Sequence, residues 1–198
     1  MQASMNELTR TFIAIKPPPD IQQALGETQM LIRRKAGSET ARWTPPHELI
    51  YTLCLLGELP ASILARIPPM IAPVFASFGP LYLTVEGIGG SPSPTQPRIV
   101  WAGIGGDIEA QARLYQALEQ AIAPLGLNRE VHKFMGHIVL GRLRTESESA
   151  RSDLGRSIRM TPIGTLGMWT ALEVDLMKAD IGPLGPTMVT MQSFPLLG

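Results

Sequence analysis

Prolines and glycines, 18 and 19 of them, divide this chain of 198 residues into short apolar runs, and that punctuation limits its possible folds. They fall between periodic segments, as loop residues do, and not in one low-complexity tract. No stretch of about 18 apolar residues escapes a charge or a Pro/Gly break, so a membrane-crossing helix is not expected.

Between the breaks the pattern alternates. Phe12–Ile15 is an apolar run stopped by Lys16 and three prolines, which reads as a buried strand. Ile21, Ala24, Leu25, Thr28, Leu31 and Ile32 recur at helical spacing after Asp20. Leu49–Leu56 closes at Gly57 as a second strand. Ile63 to Phe78 has helical spacing, with Pro68-Pro69 starting or bending that helix. Strands follow at Leu81–Ile88 and Arg98–Ile104, separated by a Gly/Pro loop over Gly89–Pro97. A helix opens at Asp107 and stops at Gly126. Gly136–Leu143 is a strand, and Thr145–Ser157 a short polar helix or loop. Ala171–Met177 and Thr187–Phe194 are strands joined through Ile181–Pro186. The expectation is about seven strands and two or three solid helices in an α+β fold with antiparallel sheets. A strand–helix–strand unit occurs around residues 12–56 and again around 99–143.

Hydrophobic residues at 44% and charged residues at 17% describe a globular chain, long enough for one domain spanning 1–198. Lys plus Arg (17) balance Asp plus Glu (17), so no global field draws in nucleic acid or a membrane; any nucleic-acid contact is local. The lone Cys54 fits a reducing compartment, the N-terminus carries no targeting pattern, and a cytoplasmic location is expected.

His47, His132 and His137 are too few and too dispersed for a metal site, and Cys54 adds no zinc spacing. No phosphate-binding GxxxxGK[ST] is present. Gly103-Ile104-Gly105-Gly106 before Asp107 reads as a turn. No GxSxG elbow supports a serine nucleophile. No cofactor is expected.

Several blocks in order carry a resemblance. Arg10–Ile15, Trp43–Pro46 with Leu49–Glu58, Pro97–Gly103, Phe134–Arg142, and the closing Gly182–Pro186 and Ser193–Leu196 resemble successive segments of the RNA 2′,3′-cyclic phosphodiesterases, formerly called 2′-5′ RNA ligases, of the 2H phosphoesterase superfamily. The resemblance implies a bilobed fold of two pseudo-symmetric α+β lobes, each lending one His-x-Thr strand motif to a central cleft. It implies one histidine as general base and the other as general acid on a 2′,3′-cyclic phosphate, with the threonines and an Arg on the phosphate oxygens. The expected partners are RNA ends or nucleotides with a 2′,3′-cyclic or 2′-phosphate.

The motifs here are degenerate. The first reads Ile50-Tyr51-Thr52 and lacks its histidine; the second reads His137-Ile138-Val139 and lacks its threonine. The resemblance therefore leaves His137 and Thr52 as catalytic candidates and Arg142, with Thr52, for the phosphate. Leu55 stands where the family often has an aromatic. Tyr51 lies at an odd offset that faces it away from Thr52, His47 does so on a continued strand but a bend at Pro45-Pro46 would redirect it, and His132 reads as a loop histidine. Two readings follow: a cyclic phosphodiesterase with an altered acid/base set, or a catalytically silent nucleotide- or RNA-binding protein of the same fold.

Overall fold

The computed structural model describes residues 8–37, 40–127, 134–144, 147–161, 163–182 and 185–198. In chain order the elements are β1 (Thr9–Ile15), α1 (Pro19–Ala36), β2 (Ala41–Trp43), β3 (Tyr51–Leu59), α2 (Ala61–Leu64), α3 (Ile67–Ala76), β4 (Leu81–Ser91), β5 (Ile99–Gly106), α4 (Ile108–Ile122), β6 (His137–Leu143), α5 (Glu148–Arg159), β7 (Thr165–Ala171), β8 (Glu173–Gly182) and β9 (Gly185–Pro195). Proline in the first turn fixes φ for the start of α1, which buries Ile21, Leu25, Thr28, Gln29 and Ile32 and ends at Gly37, φ 91°.

Among the described residues nine strands form one antiparallel sheet in the order β7-β4-β5-β6-β3-β1-β8-β9, with β2 added beside β6. The order is symmetric about its middle. β1–α1–β3 and β5–α4–β6 are equivalent units, and their last strands, β3 and β6, meet through the single pair Tyr51↔Ile138. The repeat around 12–56 and 99–143 is thus the two-lobed plan itself.

Each helix of a unit covers the other unit's sheet. On α1, Gln29 donates to the carbonyls of Thr44 and Leu140, and Ile21 packs where a Cβ on Gly167 of β7 would stand. On α4, Gln111 accepts from Tyr51, and Glu119 accepts from the Cys54 thiol, both on β3. Beneath the sheet Ile13, Ile15, Leu25, Leu49, Leu83 and Val100 belong to one continuous apolar core.

Several boundaries differ from the sequence expectation. β2 is three residues long, too short for a period-2 signal, and β7 is interrupted by Gly167 with few buried positions. β4 runs on to Ser91, taking the start of the expected loop, and Gly103–Gly106 lies in β5, not in a turn, because the glycines pair across to β4. The helix expected over 63–78 is two helices, with Pro68-Pro69 starting the second. Asp107 precedes α4, but its Oδ2 accepts from the Tyr82 N–H at 3.2 Å. The polar segment after β6 contains a helix, capped by Ser147. No described helix is long and apolar enough to cross a membrane.

Candidate active site

The pair Tyr51↔Ile138 fixes the seam between the halves: the antiparallel register sets Thr52 beside His137 and Ile50 beside Val139. Tyr51 and Ile138 are both 0% exposed and point into the core. The half-buried Ile50, Thr52, His137 and Val139 therefore share the opposite face.

Arg142 lies five residues after His137, so a regular strand would turn it to the core side. A β-bulge prevents this. β6 pairs Val139 with Trp101 but Gly141 with Val100, leaving Leu140 as the extra residue. Beyond it Arg142 sits opposite Ile99, on the face of Trp101 and His137. The equivalent irregularity follows the first motif: β3 pairs Thr52 with Ala14 but Cys54 with Ile13, so Leu53 is the extra residue and Leu55, 46% exposed, joins the face of Thr52. Arg142 and Leu55 hold equivalent places in the two halves.

A second cation accompanies Arg142. β2 pairs Arg42 directly with Arg142, and both side chains are exposed. Sequence reasoning passed over Arg42 because its strand is so short.

The His137 ring is held on two sides. Nδ1–H donates to the Met135 carbonyl at 2.8 Å, an acceptor that requires the proton on Nδ1. Nε2 is then the nitrogen that accepts a proton in the neutral ring. The edge of the ring meets Trp101, centroids 6.2 Å apart at 62°. Trp101 in turn lies over Gly89, where a Cβ would come within 2.2 Å of its ring, and donates from Nε1 to Ser91 Oγ at 3.0 Å. Trp101 is a wall of this face, while Trp43 lies over Gly141 on the helix side.

The other candidates are elsewhere. His47, with its side chain 78% exposed, sits in a 3-10 turn over Pro46–Glu48, near Glu48 at 3.9 Å. It lines a hollow of about 720 Å³ between α1 and Trp43–His47, apart from the motif strands. Tyr51 donates to Gln111 Oε1 at 2.8 Å, and burial pushes its phenol far above the ordinary tyrosine range, which removes it as a base. His132 lies outside the described residues. Among the described residues no group of three or more His, Cys, Asp or Glu side chains could hold a metal ion.

An antiparallel sheet whose two equivalent halves each bring one motif strand to a shared face defines a 2H phosphoesterase fold. The profile of the LigT-like phosphoesterases matches residues 15–101. The RNA 2′,3′-cyclic phosphodiesterase of Archaeoglobus fulgidus is 25% identical over 185 residues, 93% of this chain and 99% of that protein. That of Thermus thermophilus is 26% identical over 196 residues, 96% of this chain and 91% of that one. Among solved structures, TT0787 of Thermus thermophilus matches with a TM-score of 0.77 at 23% identity, over 96% of this chain and 98% of that one. E. coli LigT complexed with 3′-AMP matches with 0.76 at 19% identity, over 97% and 100%. The chain has the fold of these structures and is similar in sequence to the LigT-like phosphoesterases.

Proposed function

We propose that the cleft face receives the 2′,3′-cyclic or 2′-phosphate end of an RNA or nucleotide, with Thr52 and Arg142 on the phosphate oxygens and His137 Nε2 as the proton-transfer group. The observation that carries this reading is the juxtaposition of Thr52 and His137 across the seam, with Arg142 returned to their face by the bulge at Leu140. Relatives named RNA 2′,3′-cyclic phosphodiesterases support the substrate class.

Opening a cyclic phosphate requires water to lose a proton as it attacks phosphorus and the departing ribose oxygen to gain one. Two imidazoles serve both ends best. Here His137 serves one end, Ile50 offers nothing to the other, and the second proton is exchanged with solvent. Losing one general acid or base costs a factor of about 10²–10⁴ in rate, so turnover is expected to be slow. The second reading, a binder without turnover, is favoured by the apolar Ile50 itself. RNA-end processing in the cytoplasm, by one folding unit over 1–198, completes the proposal; the lone Cys54 fits a reducing compartment.

The test is hydrolysis of a nucleoside 2′,3′-cyclic phosphate by the wild type and by His137→Ala. A rate lost in the variant supports the enzyme. Equal background rates, together with calorimetric binding of the same nucleotide, support the silent binder. Neither hydrolysis nor binding overturns both.

A further inference from the structure

The register that defines the motif face also sets a lysine beside the gap in the first motif. β1 pairs Ala14 with Thr52 and Ile15 with Tyr51, and the next step along that register is Lys16 beside Ile50. Across β1, Ala14 also pairs with Asp175 of β8. His137, Thr52, Ala14 and Asp175 thus form one row across four adjacent strands, with Lys16 and Ile50 in the row next to it.

Asp175 is a buried carboxylate, 4% exposed. It accepts from Ser193 Oγ at 2.5 Å and from Thr190 Oγ1 at 3.3 Å. Lys16 Nζ lies 3.6 Å from its Oδ2 and donates to Thr190 Oγ1, while the lysine side chain is 49% exposed. Neutralising a buried carboxylate is by itself reason enough for a cation here. Two features go further. The hydroxyls of Ser193 and Thr190 already bond the carboxylate, and at 3.6 Å the ammonium attracts it without a hydrogen bond, so its donors are not exhausted. And the lysine occupies the flank where the first motif has only Ile50.

We propose that Lys16, anchored by Asp175 and Thr190, supplies the positive charge on the first-motif side of the bound phosphate, opposite His137 and Arg142. This rests on the phosphate cleft proposed above. Lys16 and His137 are two strands and two residues apart, about 12 Å between their Cα atoms by sheet spacing. Rotation of the four-carbon stem carries the ammonium from Thr190 to an anion held between the two side chains. The chain has a net charge of zero, so a local cation on each flank is the means of holding a dianion.

The experiment is titration of wild type, Lys16→Gln and Lys16→Arg with adenosine 2′-phosphate and with adenosine. Lys16→Gln is expected to weaken the phosphorylated ligand roughly ten- to a hundredfold and to leave adenosine unchanged. Lys16→Arg, which keeps the charge, is expected to stay within a few-fold of wild type. Because Lys16→Gln leaves Asp175 without its cation, Lys16→Gln with Asp175→Asn provides a folded comparison in which the anchor is neutral. If either folded variant binds adenosine 2′-phosphate as tightly as wild type while Arg142→Ala binds it weakly, the role of Lys16 is overturned and the phosphate cleft stands. If wild type itself does not bind the ligand, the cleft reading falls and takes the role of Lys16 with it.

Discussion

Thr52 and His137 stand side by side across the single bridge that joins the two halves of the sheet, one residue of each degenerate motif facing the other. The missing partners meet in the same way, Ile50 beside Val139. The two positions that depart from His-x-Thr, Ile50 and Val139, are therefore one adjacent pair, and this makes the departure testable.

Restoring that pair should restore chemistry. Ile50→His with Val139→Thr is expected to raise cyclic phosphodiesterase activity by about 10²–10⁴-fold, because it returns the second proton-transfer group. Steady-state hydrolysis of a nucleoside 2′,3′-cyclic phosphate measures it. A folded double variant no faster than wild type would show that the face has diverged beyond these two positions.

Arg142→Ala is expected to weaken binding of a nucleoside 2′-phosphate by roughly ten- to a hundredfold, the worth of a charge-assisted hydrogen bond. Arg142→Lys should recover only part of this, since an ammonium cannot grip two oxygens in one plane. Calorimetric titration separates the two variants, and a wild-type affinity in Arg142→Ala would move the phosphate site elsewhere.

Tyr51→Phe should destabilise the fold by about 1–3 kcal/mol, because the phenol donates to Gln111 Oε1 in the core and the amide loses that partner. The pH dependence has a definite sign. Burial raises the phenol's pKa in the folded state, so its contribution is complete below the unfolded value of about 10 and falls as pH rises above it. Denaturant melts between neutral and alkaline pH should show a shallower alkaline loss for Tyr51→Phe than for wild type.

Gly89→Ala should push the Trp101 ring off its seat, since the new Cβ would fall 2.2 Å from it. The expected cost is about 1–3 kcal/mol for overpacking. Because Trp101 also flanks His137, its displacement should appear both in tryptophan fluorescence and as a broadened His137 ring signal in NMR.

The alternating apolar runs revealed most strands, and the repeat around 12–56 and 99–143 revealed the symmetry, because both are properties of local pattern. β2 and β7 escaped, the first for its length and the second for its glycine and its exposure. Parity within each motif correctly put Ile50 with Thr52, and His137 with Val139. Parity failed for Arg142 and Leu55, since one extra residue at Leu140 and at Leu53 reverses every position after it. A bulge has no composition signal of its own, so those two residues could be assigned from the family resemblance but not from period. Lys16 escaped as well: it stands at the end of β1, and its proximity to Ile50 and Asp175 is a matter of strand order, which a linear pattern does not contain.

The exchange of helices between the two units has a consequence for how the chain assembles. α1 lies under strands of the second unit, α4 reaches β3 of the first, and β1 pairs with β8 from the far part of the chain, so a cut between α3 and β4 would part each of these elements from its partner. Neither fragment keeps all the partners of its own apolar surface. Chemical denaturation is therefore expected to proceed as one cooperative transition, followed identically by fluorescence and circular dichroism, and the separated halves should regain structure only when mixed.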